Sequence, residues 1–328
     1  MTGSVWRALP LVLGLLGCES KYGNLSPVID DFKRQLAAQP CDGEMAVKLS
    51  DVYVRANDKQ AALQVFRERG PACPAHEQVL QKQVELENQI GDKNKAVALA
   101  SQLHELTPND DERFFQLLDL LTAAGKGDEH FQLLLKAVAL DPRKEAYLER
   151  LAKAYEARGD ACRALTWWTT LSMYSRTLRG RADTEMVRLS AKPECFGYIP
   201  KQSTKIKHQL SRQQLFVFPG QMAGKSVLVG LDSATAFSYI VKESFDKIPN
   251  TKPLGQHLEL ATAYGKLEGD LYAVSGITLG DMVIGPFDVV VVPRLEDQMD
   301  GLLGMTVQAR LRMKRLENPE NTWEISPP

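Results

Sequence analysis

The sequence predicts a multidomain α plus β protein, with an N-terminal all-α solenoid of helical hairpins and a C-terminal closed β domain. Markers of helix ends and turns recur with a fixed period in the first half of the chain. After about residue 200 this repeat is replaced by short β-rich runs separated by Gly and Pro. The chain has 328 residues, of which 44% are hydrophobic and 25% are charged, so it is long enough for two domains.

The first residues have the pattern of an export signal. Arg7 precedes an apolar stretch, residues 8–16, which is followed by Gly17 and Cys18. A short basic start, a short apolar core and a small residue at the cleavage site are typical of secretory signals. The ending Leu-Leu-Gly-Cys at residues 15–18 resembles a bacterial lipobox, which implies removal of residues 1–17 and lipidation of the Cys18 thiol. The alternative is an ordinary signal peptide in which this cysteine has no role.

The same resemblance implies a location. Glu19 follows the cysteine, in place of the Asp that usually retains lipoproteins at the inner membrane. We therefore expect a lipid-anchored protein of the bacterial cell envelope, at the outer membrane and facing the periplasm. No run approaches the roughly 18–20 apolar residues that span a bilayer. Residues 18–42 are expected to form a tether and a first helix.

Four further cysteines remain, and an exported chain can pair them: Cys41, Cys73, Cys162 and Cys195. The sequence leaves three pairings open. Two natural bridges are Cys41 with Cys73, at equivalent inter-repeat turns, and Cys162 with Cys195. Neighbouring solenoid turns are expected about 10 Å apart, beyond the usual 4.4–6.8 Å between bridged Cα atoms, so the first bridge would need the turns to adjust.

Three separate markers share a 34-residue period. Prolines recur at Pro40, Pro74, Pro108 and Pro142. Helix-ending residues recur at Asn57, Gly91, Gly125 and Gly159. Small residues recur at Ala62, Ala96 and Ala164. The pattern resembles tetratricopeptide repeats over roughly residues 43–178, and with a C-terminal cap we expect helical repeats over residues 43–200.

Such a solenoid has two open interpretations. Its concave groove can bind a peptide or protein partner, or the solenoid can act as a rigid spacer between the membrane anchor and the C-terminal domain. The near-neutral net charge of −1 does not indicate the excess of basic residues that is typical of nucleic-acid-binding proteins. Neither a metal site nor a cofactor is expected, because no Cys-x-x-Cys occurs and the five His do not lie at ligand spacing with the cysteines.

The β domain is expected over residues 201–328, built from short strands with one late helix. The predicted strands are 214–218, 226–231, 256–263, 269–277, 282–284, 287–292 and 322–325. Pro219-Gly220 is expected to break the first of them. The helix is expected at about residues 306–311.

Two segments of this domain carry the most information about chemistry. A hydrophobic strand leads into Asp232, which is followed by Ser233, Ala234 and Thr235. Much further along the chain comes the run Asp-Gly-Leu-Leu-Gly-Met at residues 300–305. These segments resemble retropepsin-like aspartic proteases, whose active-site loop reads Asp-Thr/Ser-Gly-Ala/Ser/Thr, and the resemblance covers roughly residues 204–328. The third loop position, normally Gly, is Ala234.

The resemblance implies the mechanism. Aspartic proteases place two carboxylates a few ångströms apart, and the two share one proton because they cannot both ionise easily. This chain has one such loop. The second carboxylate would therefore come from another copy, so we expect a homodimer with Asp232 of both chains at its two-fold axis.

Other positions match the family pattern. Ser233 would brace the two loops across the axis, and Thr235 holds the fourth loop position. The start of the flap hairpin is matched by Thr262, Ala263, Tyr264 and Gly265. The loop-supporting hydrophobic-hydrophobic-Gly segment is matched by Leu302, Leu303 and Gly304.

Two functions follow for the whole chain. The first is an envelope-anchored aspartic endopeptidase that hydrolyses polypeptides. The second is a catalytically inactive, retropepsin-like binding or assembly module. Ala234 separates them, because a Cβ there could crowd the water, the substrate or the partner loop.

Overall fold

The computed structural model describes residues 21–69, 73–211, 215–262, 265–295 and 298–328. Cys18 and the two flap residues Ala263 and Tyr264 lie outside the described residues. The chain divides into two compact units, Met1–Lys126 and Gly127–Pro328. The second unit contains the last four long helices together with all the strands described.

Helical hairpins account for the described chain as far as Ser190. The helices are α1 (Ser26–Ala38), α2 (Gly43–Arg55), α3 (Lys59–Glu68), α4 (Glu77–Ile90), α5 (Lys93–Leu106), α6 (Asp111–Ala123), α7 (Gly127–Leu140), α8 (Glu145–Ala157), α9 (Ala161–Tyr174) and α10 (Arg179–Ser190). The first helices of the four repeats begin at residues 43, 77, 111 and 145, and the second helices at 59, 93, 127 and 161. Both series have the 34-residue period.

At three of the four turns inside the repeats, the first helix ends in the predicted left-handed conformation. Asn57, Gly125 and Gly159 have φ values of 58°, 72° and 79°, so the predicted left-handed helix ends are confirmed there. At Gly91 the prediction is wrong, because its φ is −110°. A Cβ at residue 91 would lie 1.8 Å from the carboxylate of Glu87. A side chain here would displace the Glu87 carboxylate, which accepts hydrogen bonds from the Arg67 guanidinium and the Asp92 N–H.

Two disulfides close the turns of the helical region, Cys41–Cys73 and Cys162–Cys195. The Cα atoms of each pair are 5.1 Å apart. The expectation that the turns at Cys41 and Cys73 would be about 10 Å apart is therefore wrong. Cys41 lies in the segment between α1 and α2 and Cys73 in the segment between α3 and α4, so the interaxial distance of the helices does not limit their separation.

The strands and two short helices of the second unit follow. The strands are β1 (Thr204–Lys207), β2 (Gln209–Leu210), β3 (Phe216–Met222), β4 (Lys225–Leu231), β5 (Ser238–Val241), β6 (Lys252–Thr262), β7 (Gly265–Val274), β8 (Ile277–Leu279), β9 (Met282–Ile284), β10 (Phe287–Val292), β11 (Gly301–Leu303), β12 (Arg312–Leu316) and β13 (Thr322–Ser326). The helices are α11 (Lys242–Phe245) and α12 (Met305–Gln308).

Most of these strands form one sheet in the order β6-β7-β10-β5-β11-β4-β3-β8-β9, with β2 also paired to β3. The remaining three form a small sheet in the order β1-β13-β12. Two neighbouring pairs are parallel, β10 with β5 and β11 with β4. Parallel pairs join segments distant in sequence, and they bring residues 225–231 beside residues 301–303.

Several predicted details of this domain are wrong. The strand β3 continues through Pro219-Gly220 instead of ending there. Pro219 falls in the gap between the residues of β3 that pair with β2 and those that pair with β8, so its missing N–H costs no ladder hydrogen bond. Helix α11 is additional to the one helix predicted. The strands that were not predicted are β1, β2, β5, β8, β11 and β12. Strands β5 and β11 are short and buried on both faces, so they show no alternation.

Helix α9 is joined to the β domain by a buried ion pair. The Arg163 guanidinium donates two hydrogen bonds to the Asp288 carboxylate on β10, Nε to Oδ2 at 2.8 Å and Nη2 to Oδ1 at 3.0 Å. The Asp288 side chain is 11% exposed. Burial raises the pKa of Asp288 above its ordinary value, although Arg163 opposes this. The geometry fixes α9 against the strand that neighbours β5.

A second arginine, Arg310, also connects α9 to the β domain. It is 1% exposed, and its guanidinium donates to the Thr166 hydroxyl on α9 at 2.7 Å and to the Pro286 carbonyl at 2.9 Å. Burial lowers the pKa of Arg310 to about 10. Helix α9 is therefore part of the core of the second unit, and a fragment cut near residue 200 would expose these charged groups.

We expect Asp288→Asn to destabilise the second unit by about 2 kcal/mol, because the Arg163 charge loses the less exposed of its two carboxylate partners and keeps only Asp160. The measurement is urea unfolding of the full chain followed by tryptophan fluorescence, since Trp167 and Trp168 lie on α9. Asp246→Asn is the matched control, because Asp246 forms an exposed pair with Lys242. Equal unfolding midpoints for the two variants would contradict the role assigned to the buried pair.

Candidate active site

Asp232 lies where β4 ends beside β11. The two strands run in parallel, with Leu231 opposite Leu303. One residue further on, the Asp232 N–H donates to the Leu303 carbonyl at 3.0 Å. This bond extends the pairing beyond the strand and holds the start of the loop against the Leu-Leu-Gly segment. The structure thus brings together two segments that are far apart in the sequence.

Gly304 lets the loop pass close to the neighbouring chain segment. A Cβ at this position would lie 2.3 Å from the Phe237 carbonyl oxygen. On either side of the contact, the Met305 N–H donates to the Thr235 carbonyl at 2.8 Å, and the Thr306 N–H donates to the Ala236 carbonyl at 3.1 Å. Residues 235–237 are therefore tied to residues 304–306 by backbone hydrogen bonds, which fix the shape of the Asp232 loop.

Both carboxylate oxygens of Asp232 accept hydrogen bonds from the same chain. The Ala234 N–H donates to Oδ1 at 2.8 Å, and the Tyr239 hydroxyl donates to Oδ2 at 2.9 Å. Asp232 is 5% exposed, and Tyr239 is 1% exposed. Tyr239 was not predicted as a site residue. The signal in the sequence was a tyrosine within the hydrophobic run that follows the loop.

Ala234 keeps the backbone donor that the loop uses. Its φ does not lie in the left-handed region, so conformational freedom is not the reason why glycine is usual at this position. The remaining reason is close approach of the water, the substrate or a second loop to the Cβ. Ala234 is half-buried, so its methyl group lies partly at the surface of the site.

The other two loop residues have different environments. Thr235 is buried, and its hydroxyl is 3.4 Å from the Asp232 carbonyl oxygen. Ser233 is exposed at the tip of the loop. Its carbonyl accepts a hydrogen bond of 3.2 Å from Arg143, which lies in the turn between α7 and α8. Arg143 was not predicted, because no local pattern links an inter-repeat turn to this loop.

The predicted flap corresponds to the hairpin of β6 and β7. The two strands pair from Thr262 opposite Gly265 back to Lys252 opposite Ala273, with a register shift between Pro253 and His257. At the tip, the Thr262 hydroxyl donates to the Gly265 carbonyl at 2.8 Å, and Gly265 has a φ of 101°. This is the left-handed region that favours glycine. Helix α7 packs against β6.

Asp300, which precedes the Leu-Leu-Gly segment, connects neighbouring elements through hydrogen bonds. Its carboxylate accepts the Leu228 N–H at 2.6 Å and the Ser244 hydroxyl. Its backbone carbonyl accepts the Val241 N–H at 2.8 Å. The residue therefore ties β4 to the end of β5 and to α11, on the side of the sheet that supports the loop.

Comparisons with known proteins agree with this geometry. A family model described as aspartyl protease matches residues 218–307, which include the Asp232 loop and Gly304. A comparison with curated protein sequences gives no match.

Solved structures give weaker similarities. YrrB, described as a TPR protein with an unusual peptide-binding site, is 17% identical over 49% of this chain and 84% of that chain, with a TM-score of 0.36. MamA 41-end from Desulfovibrio magneticus RS-1 is 17% identical over 51% of this chain and 87% of that chain, with a TM-score of 0.34. On the repeat geometry, the loop geometry and the family match, the C-terminal β domain of this chain is an aspartyl-protease-like domain, preceded by tetratricopeptide-like helical repeats.

Proposed function

We propose that this protein is an aspartic-type endopeptidase in which Asp232 of two chains forms the catalytic dyad. The observation that supports it most is the braced loop. Asp232 stands at the end of β4, held by the Leu303 carbonyl, with a backbone N–H on one carboxylate oxygen. The substrate would be a polypeptide chain lying between this loop and the flap hairpin.

In the proposed reaction a water molecule lies between the two carboxyl groups. The ionised Asp232 takes a proton from the water as its oxygen attacks the peptide carbonyl carbon. The protonated Asp232 of the other chain gives its proton to the carbonyl oxygen. When the tetrahedral intermediate collapses, the Asp232 that took the water proton gives it to the leaving amine nitrogen as the C–N bond breaks, and the other Asp232 takes back a hydroxyl proton, which restores the dyad. No metal or cofactor enters any of these steps.

The homodimer is part of the proposal because one chain supplies one such carboxylate loop. Ser233 is exposed at the loop tip, where a hydroxyl could brace the loop of a second copy. Its carbonyl is bound to Arg143, which leaves the side chain outside that contact.

Cleavage of a peptide mixture, from about pH 3 to about pH 8, tests the proposal. If the dyad needs two chains, the rate per chain will rise with protein concentration until the dimer is saturated. Sedimentation at the same concentrations gives the dimer population. Absence of cleavage over the whole range, or a rate per chain that does not follow the dimer population, would count against the two-chain dyad.

We propose protein binding for the helical repeats. In the first unit a cleft of about 840 Å³ is lined by residues of α4 and α6. Its floor includes the buried side chains of Val84 and Leu120, and its rim includes the exposed carboxamides of Asn88 and Gln89. Carboxamides can both donate to and accept from a peptide backbone, so an extended polypeptide suits this cleft.

We further propose export and lipid anchoring through Cys18, on the sequence pattern of residues 1–18. Helices of the described residues are all too short or too polar to cross a membrane. In an envelope fractionation, wild type should partition with membranes, and Cys18→Ser should yield unprocessed or soluble protein. Unchanged partitioning of the variant would mean that the anchor is a different group.

The second candidate function is an inactive binding or assembly module. Two observations favour it: Ala234 replaces the usual glycine, and Asp232 is 5% exposed with both oxygens already bonded inside the chain. A module of this kind would bind polypeptides without hydrolysing them, and its affinity would not depend on Asp232.

A further inference from the structure

Among the described residues, Tyr239 is the one side chain that hydrogen-bonds the Asp232 carboxylate from outside the loop. Its hydroxyl donates to Oδ2 at 2.9 Å, and both residues are buried. We propose that Tyr239 is a positioning residue for catalysis, which fixes the orientation of the Asp232 carboxylate. The proposal rests on the proposed proteolytic function.

The phenol is held in place by the strand that carries it. Strand β5 lies between two other strands, with Tyr239 opposite Val290 of β10 on one side and opposite Leu302 of β11 on the other. The neighbouring Ser238 hydroxyl accepts the Gly304 N–H at 3.1 Å. Because β5 is fixed to the same segment that braces the loop, the backbones that carry the Tyr239 hydroxyl and the Asp232 carboxylate are held at a constant separation.

The hydroxyl has a specific chemical effect at this position. A tyrosine hydroxyl keeps its proton throughout the acidic and neutral range, so it acts as a donor to a carboxylate. Hydrogen bonds to a carboxylate have a preferred direction, so two donors restrict its rotation. With the Ala234 N–H on Oδ1 and the phenol on Oδ2, each chain aligns its own carboxylate before a partner arrives.

The substitution Tyr239→Phe, which tests this role, changes no charged group near the loop. Arg143 reaches the loop from the turn between α7 and α8, where it binds the Ser233 carbonyl. On β11 and β5, which brace the loop, the residues are uncharged. Removal of the Tyr239 hydroxyl therefore changes one donor to Asp232 and leaves the nearby charge in place.

A purely structural tyrosine would behave differently. A buried hydroxyl usually finds an acceptor, and the bond to Asp232 could serve only that need. In that case Tyr239→Phe, which keeps the ring and removes the oxygen, would lower stability and leave kcat and KM of the folded protein unchanged. The two roles therefore differ in their effect on kcat.

The test compares kcat and KM of wild type and Tyr239→Phe. A carboxylate that has lost one of its two orienting donors should lower kcat about 10-fold, with KM changed by less than about twofold. Tyr174→Phe is the matched control, because Tyr174 is a half-buried tyrosine at the end of α9. Equal kcat values for all three proteins would overturn the proposal.

A second measurement needs no substrate and separates this proposal from the proteolytic function. Tyr239→Phe should lower Tm in the wild-type background, and by less in an Asp232→Ala background, because residues in contact have non-additive effects on stability. If wild type cleaves nothing but this pattern is observed, the assignment of Tyr239 to Asp232 stands and the protease proposal fails. Additive effects of the two substitutions on Tm overturn the assignment.

Discussion

Asp232→Asn will abolish peptide cleavage and leave the fold in place. An amide cannot accept the proton of the attacking water, and loss of general base catalysis costs about 10³-fold or more. The fold should survive because Asn has the shape of Asp. Its carbonyl oxygen can accept from one donor, and the Tyr239 hydroxyl can rotate to accept from the amide NH₂. The measurement is the cleavage rate of the full chain, with circular dichroism and Tm as evidence of folding.

Asp281→Asn is the matched control for this prediction. Asp281 is an exposed carboxylate in the turn between β8 and β9 of the same domain, so its substitution should leave the rate unchanged. Mixing equal amounts of wild type and Asp232→Asn under exchanging conditions should reduce activity to about one quarter of what the same total of wild type gives, since only dimers with two carboxylates work. Activity that survives Asp232→Asn would eliminate the aspartic mechanism.

Gly304→Ala will destabilise the second unit by about 3–5 kcal/mol and remove activity with it. The new Cβ would lie 2.3 Å from the Phe237 carbonyl oxygen and 2.5 Å from its carbon. Both are backbone atoms, so no side-chain rotation relieves the contact. The loop would have to separate from residues 304–306, losing several backbone hydrogen bonds worth about 1 kcal/mol each, in addition to the strain of overpacking.

The measurement is Tm by differential scanning calorimetry, where we expect a decrease of about 10 °C. Gly180→Ala is the matched control, because Gly180 lies in α10 and a Cβ there meets nothing within 4 Å. That substitution should be neutral or slightly stabilising, since Ala has the higher helix propensity. A Gly304→Ala protein as stable as the control would mean that the loop is not held as closely as its hydrogen bonds indicate.

The helical repeats could be predicted closely from the sequence, because their signals are local. Helix ends depend on residues within one or two turns, such as the left-handed Asn57 and Gly159. Buried Ala62, Ala96 and Ala164 mark the face that packs inside each repeat. Gly91 shows the limit of this approach, because its role depends on the position that the Glu87 side chain takes in the folded turn.

The candidate site could be predicted only in part. The residue types at Asp232 and at Leu302-Leu303-Gly304 form a recognisable pattern, and the structure pairs them through β4 and β11. Strands β5 and β11 escaped prediction because segments buried on both faces carry no alternation. Tyr239 lies on one of those strands, so its contact with Asp232 could not be inferred from spacing.

The sequence by itself determined the repeat period, the cysteine positions that two bridges join, and the loop that carries Asp232. Only the tertiary structure decided that Tyr239 bonds the carboxylate, that Arg143 reaches the Ser233 carbonyl, and that Arg163 pairs with Asp288. The two arginine contacts join residues that are far apart in the sequence, and the Tyr239 contact depends on how the chain turns back between Asp232 and β5. A turn or a helix end is fixed by neighbours along the chain, whereas these contacts join residues on different elements. They exist only after parallel strand pairing and the docking of α9 have placed those elements side by side.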